Sequence, residues 1–109
     1  MPVASADEFF SQRLPKRLSE KPDLAEKINA VYKFVLSGAG GGTWTVDITI
    51  PGGKVTAADL DAGCIITMAA SDFVDIINGT SNAQMAFMTG KLRVAGDIGQ
   101  ALKLQYILA

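Results

Sequence analysis

The segment from Ser81 to Gln105, SNAQMAFMTGKLRVAGDIGQALKLQ, sets two helix-start signals on either side of one short strand. Ser81 and Gln84 have the spacing of a capping box, and Asp97 and Gln100 repeat it with Asp in place of the usual Ser or Thr. The first helix runs through Met85 and Met88 and stops near Gly90, Lys91 to Gly96 reads as a strand, and a final helix carries Ile98, Ala101, Leu102 and Leu104. This arrangement aims Met85, Met88, Leu92, Val94, Ile98, Ala101 and Leu102 at one space. With no catalytic or metal motif in the segment, the pattern implies a greasy cavity rather than a reaction centre.

Upstream, Val31 to Leu36 is rich in aromatic and β-branched residues, and Trp44, Val46, Ile48 and Ile50 alternate with Thr45, Asp47 and Thr49. Both are strands. The glycine-rich Ser37–Gly42 between them resembles a phosphate-cradling loop, but the third glycine of GxGxxG would fall at Thr43 and a strand follows instead of a helix. A hairpin connection is the better reading. Pro51-Gly52-Gly53 turns the chain, Lys54 to Thr56 adds a short strand, and Gly63 to Met68 a longer one with Cys64, Ile66 and Met68 on one face. Ser71 caps a helix from Asp72 to Asn78, whose Phe73, Ile76 and Ile77 form an i, i+3, i+4 stripe ended by Gly79.

At the N-terminus, Phe9, Phe10 and Leu14 fall at helical spacing. Pro15 either breaks that helix or begins a second turn, and Asp23 to Glu26 restarts helix after Pro22. The arm's basic residues, interleaved with acids, read as a solvated face, with a membrane-docking face as the alternative. Grouped strands and segregated helices give an α+β fold, a sheet covered on one face, in a single domain over residues 1–109.

The chain has no histidine, so Ser-His and Cys-His nucleophile arrangements are excluded along with the commonest metal ligand. Cys64 lies in an apolar strand and reads as core. Asp59 with Asp61, and Asp72 with Asp75, read as capping and solubility residues without flanking machinery. Ten basic against eleven acidic residues argue against a nucleic-acid partner. A single cysteine, no visible signal peptide and no bilayer-length apolar run lead to the expectation of a soluble cytoplasmic protein. Asn78-Gly79-Thr80 matches a glycosylation sequon and reads instead as a helix stop. The chain is 49% hydrophobic with a mean hydropathy of +0.25, which leaves apolar surface for something besides self-packing. Met85 and Met88 fit either an adaptable cavity wall or plain core.

From Ala62 to Gln105 the chain resembles the sterol carrier protein 2 domain, in the strand CIITM, the Ser71-Asp72-Phe73 helix start, the Asn78-Gly79 stop, AFMTGKLRVAG from Ala86 to Gly96, and ALKLQ from Ala101 to Gln105. Trp44-Thr45-Val46-Asp47 is similar to that family's tryptophan-containing second strand, whereas Pro15 and Pro22 depart from its single long first helix. The resemblance implies an α+β sheet of about five mainly antiparallel strands, covered on one face by helices and enclosing an apolar tunnel. It implies a non-catalytic carrier of sterol, fatty acid, fatty acyl-CoA or phospholipid, with no cofactor and no metal. Its tunnel wall would fall on Ile66, Met68, Phe73, Ile76, Ile77, Met85, Met88 and Leu102. The implied partners are the lipid itself and, transiently, a membrane touched by the N-terminal arm. An accessory domain presenting a hydrophobic intermediate, such as an isoprenoid quinone precursor, to partner enzymes is the alternative.

Overall fold

Alternation between Val31 and Asp47 decides which face of the sheet is dry. The computed structural model describes residues 3–103. In it β1 (Val31–Ser37) turns Tyr32, Phe34 and Leu36 inward and leaves Val31, Lys33 and Val35 half-buried, the period-two signature of a strand with one packed face. β2 (Gly42–Asp47) pairs antiparallel with it, setting Trp44 opposite Phe34 and Val46 opposite Tyr32. Their glycine-rich connection is the expected hairpin. Gly38 and Gly40 hold positive φ, and a Cβ on Gly41 would lie 2.3 Å from the Leu36 carbonyl oxygen, so the turn's own backbone accounts for these glycines.

β3 (Lys54–Thr56) pairs antiparallel with β2, β4 (Cys64–Ala69) runs parallel to β1, and β5 (Leu92–Gly96) lies antiparallel to β4. The order is β3-β2-β1-β4-β5, with a single parallel pair, which is the expected mainly antiparallel α+β sheet. That parallel pair needs a crossover, and residues 57–63 provide it across the outer face of the sheet. Thr45 Oγ1 donates to the Ala58 carbonyl at 2.8 Å and accepts from the Leu60 N–H at 3.1 Å, so a buried hydroxyl is fully satisfied. Asp59 sits 2.6 Å from Lys33 Nζ and fixes the crossover to β1, a role beyond the capping and solubility read from sequence.

Of the two readings of Pro15 the second holds: α1 (Ala6–Glu8), a π-helical turn (Phe9–Arg13) and α2 (Leu14–Glu20), with Pro15 in its first turn, run on continuously, followed by α3 (Leu24–Lys27). Pro15 has no N–H to donate, and its ring crowds the carbonyl four residues back. Widening the preceding turn, so that the Leu14 N–H reaches the Phe9 carbonyl, accommodates both. The same wide turn lets the consecutive Phe9 and Phe10 both face the sheet, fully buried. There Phe10 stacks on Trp44 and Phe73 with ring centroids 4.7 and 5.3 Å away, and Phe34 and Phe9 complete the cluster.

Three short helices finish the covered face: α4 (Ala70–Ile77), α5 (Ala83–Met88) and α6 (Ile98–Leu102). α4 starts directly from β4, with Ala69 extended before it, so Ser71 is inside the helix and is not its cap. Asn82, and not Ser81, caps α5, its Oδ1 accepting from the N–H groups of Gln84 and Met85 at 2.8 and 3.2 Å. Asp97 caps α6 as its spacing indicated, accepting from the Gln100 N–H at 3.2 Å. Asn78 does more than end α4. Its side chain exchanges two hydrogen bonds with the backbone of Val3, at 2.8 and 3.0 Å, tying the arm's start to this helix. Among the described residues no helix is long and apolar enough to cross a membrane.

Candidate functional site

In the antiparallel register of β4 and β5, Ile66 lies opposite Val94 and Met68 opposite Leu92, and directly opposed residues share a face. Ile66 and Met68 are buried while Leu92 and Val94 are only half-buried, so an apolar floor deepens from the sheet edge inward. Ile76 and Ile77 on α4 and Ala101 on α6 are likewise half-buried against the same core. These side chains form a partly exposed apolar margin of the core at the β5 end of the helical face.

Phe73 occupies a different position. It is 1% exposed, with ring centroids 5.6 Å from Phe9 and 5.7 Å from Phe34, at the heart of the aromatic cluster. Met85 and Met88, expected to face inward, are instead 59% and 73% exposed. The reason is packing: α5 lies against β5 with Ala86 as its buried residue, and a helix of six residues that packs through its alanines turns its larger side chains outward. Phe87 and Ile98 join the two methionines in solvent. Leu102 ends α6; its side chain, and with it the expected wall position, lies outside the described residues, as do Leu104 and Gln105. Of the eight residues, Ile66, Met68 and Phe73 are core and Ile76 and Ile77 pack against that core as partly buried side chains, as do Leu92, Val94 and Ala101.

Polar chemistry where α6 meets the sheet is structural. Tyr32 Oη donates to the Gln100 carbonyl at 2.6 Å and so fastens α6 to β1. Burial, reinforced by Cys64 and then Asp97, pushes the Tyr32 hydroxyl well above its ordinary range. Burial and then Asp97 push the Cys64 thiol up as well. Both groups stay protonated near neutrality, and a protonated, fully buried thiol is a poor nucleophile. No cluster of three or more metal-ligating side chains occurs among the described residues. Two surface cavities lie elsewhere. One of about 430 Å³ follows the arm past Glu8, Arg13, Lys16 and Lys21, and one of about 220 Å³ lies beside β3 between Thr45, Lys54 and Leu60.

The SCP-2 sterol transfer family matches residues 11–109 of this chain. Human sterol carrier protein 2 is 37% identical over 115 residues, an alignment covering 96% of this chain and 21% of that protein. The chain therefore spans about a fifth of the length of the curated relatives it matches. Among solved structures, the apo form of sterol carrier protein 2 from Yarrowia lipolytica superposes with a TM-score of 0.71 at 31% identity, covering 86% of this chain and 77% of that one. Sterol carrier protein 2 from Aedes aegypti in complex with palmitate shares the fold at 21% identity and a TM-score of 0.60, covering 88% and 94%.

Proposed function

The chain belongs to the SCP-2 sterol transfer family, and on that premise we propose that it is a non-catalytic carrier that takes the apolar tail of a single lipid, a fatty acid or fatty acyl-CoA in the first instance, out of water. The observation that carries this reading is the apolar margin of the core at the β5 end, where half-buried Ile76, Ile77, Leu92, Val94 and Ala101 pack against a core that includes Ile66 and Met68. Met85 and Met88 stand exposed on the neighbouring α5, and their flexible thioethers adapt to tails of different shape. The palmitate held by the Aedes aegypti protein of the same fold supports this ligand class. The absence of histidine from the sequence, together with a buried Cys64, supports a carrier over a catalyst.

Burying each methylene contributes ~0.8 kcal/mol, so a tail of about sixteen carbons gains roughly 10 kcal/mol gross before association costs. A bilayer offers the same tail similar burial. The net preference for protein over membrane is then small, which suits pickup and release better than storage. Displacement of a fluorescent fatty acid by palmitate or palmitoyl-CoA, at micromolar protein, tests the proposal, and Ile77→Asp is expected to weaken binding at least tenfold. A chain that binds neither ligand alone, yet returns a stable enzyme complex on pull-down, would instead be an accessory presenting a hydrophobic intermediate to its partners.

A further inference from the structure

α4 ends in a dipeptide whose two residues answer to different demands. Gly79 holds φ at 80°, the left-handed position that closes a helix, and its N–H donates to the Ile76 carbonyl at 3.1 Å. Asn78 serves the arm instead. Its Oδ1 accepts from the Val3 N–H at 2.8 Å, and its Nδ2 donates to the Val3 carbonyl at 3.0 Å. The partners fix the amide's orientation, since an N–H needs the oxygen and a carbonyl needs the nitrogen. Helix closure and arm docking together thus produce Asn-Gly, the dipeptide most prone to hydrolyse its own side-chain amide, because glycine places no Cβ in the path of the attacking nitrogen. Ala30 and Ala83 follow the chain's other two asparagines, Asn29 and Asn82, so the combination occurs once.

The chemistry needs only water. The Gly79 nitrogen bonds to Asn78 Cγ, the Cγ–Nδ2 bond breaks, and the departing nitrogen takes the Gly79 proton and leaves as ammonia. One water then opens the cyclic imide. Entry at Cγ gives aspartate, and entry at the main-chain carbonyl of residue 78 gives isoaspartate. In the folded chain three features oppose ring closure: Val3 holds both amide atoms, the Ile76 carbonyl holds the Gly79 N–H, and the ψ of -2° at Asn78 turns the Gly79 nitrogen away from the side chain it must reach. They lapse when the arm's start and the end of α4 open locally. We propose that Asn78 is a modification site that works as a one-way latch: the docked arm protects its amide, and an arm that lifts exposes it to hydrolysis, after which the arm's start cannot re-dock. Either product carries a carboxylate, which has no hydrogen to give the Val3 carbonyl, so two oxygens face each other where a bond stood. Isoaspartate also adds a carbon to the main chain and displaces Gly79 from its closing position.

Peptide mapping by mass spectrometry, on the full chain aged at neutral pH, tests the latch. Asn78 is expected to hydrolyse about tenfold more slowly in the folded chain than in the same chain held in urea, with Asn29 and Asn82 intact in both. Val3→Pro, which removes the donor to Oδ1, is expected to speed the folded-state reaction about fivefold. Ala6→Asp, which sets a charge in the buried contact of α1, should speed it as well. Trp44 emission establishes that each variant is folded. Asn78→Asp reproduces the product and reads the consequence. Hydrogen exchange at the Phe9 amide, bonded to the Ser5 carbonyl, is expected to rise about tenfold in it, while β1 and β2 keep the parent's protection. The latch is overturned if Asn78 hydrolyses as fast folded as in urea, or survives in both. It is equally overturned if Val3→Pro and Ala6→Asp keep the parent's rate, or if Asn78→Asp leaves exchange in the arm unchanged.

Discussion

At the residue scale, Tyr32 and Cys64 are neighbours across β1 and β4, and both keep a proton that water would let them lose more readily. Removing the phenol by Tyr32→Phe leaves the Gln100 carbonyl without its donor and loosens α6, at a cost of about 1–2 kcal/mol. A lower urea midpoint with unchanged slope is the expected result. The raised values also determine the alkaline behaviour. A folded-state value above the unfolded one means that the folded chain holds the proton longer, so stability is complete below the ordinary thiol range and falls as pH climbs above it. Unfolding free energy is therefore expected to decline from about pH 9 upward, and less steeply in Cys64→Ala, when measured by urea titration at each pH. That Cys64 is a core residue was legible from its place in an apolar strand. That Gln100 would receive the Tyr32 hydroxyl through its carbonyl, while its side-chain Oε1 stays buried without a partner, was not, because the two are 68 positions apart.

At the element scale, residue content, alternation and the bounding turns marked all five strands, and their ends shifted by at most three residues. Helix starts were less legible, because Ser71 and Ser81 each stand close to a residue that begins the helix differently. The π-helical turn was hidden for a deeper reason. Pro15 alone announces either a break or a new first turn, and only packing against the sheet, which rewards burial of both Phe9 and Phe10, decides that the helix widens and runs on. The face of α5 was likewise undecidable locally. Ala83 and Ala86 have the same i, i+3 spacing as Met85 and Met88, and Ala86 is the residue that the packing buries. Gly96, between β5 and α6, shows how closely these elements approach. It holds φ at 92°, and a Cβ there would stand 2.2 Å from the Gly63 carbonyl oxygen. Gly96→Ala should cost about 2 kcal/mol or more in thermal or urea unfolding. It should also disturb α6, since the neighbouring Asp97 N–H donates to that same Gly63 oxygen at 3.1 Å.

At the scale of the whole molecule, one ring joins parts of the chain that no local signal connects. Phe10 comes from the arm, Phe34 and Trp44 from the first hairpin, and Phe73 from α4, and Phe10 touches all three others. The sheet without the arm would expose Trp44 and the dry face of β1, so arm docking and sheet stability are a single cooperative event rather than two. Truncating Phe10 to Ala removes the stacked partner of Trp44 and of Phe73 together, and deletions of buried aromatics cost about 3–5 kcal/mol. The variant is therefore expected to unfold at much lower urea, still in one transition. Trp44 is the only tryptophan and is 6% exposed, so its emission reads this event directly. A red shift that coincides with loss of far-ultraviolet circular dichroism is the expected outcome. A red shift preceding that loss would mean that the arm lifts off a sheet able to stand alone, and the single-core account of this fold would fail.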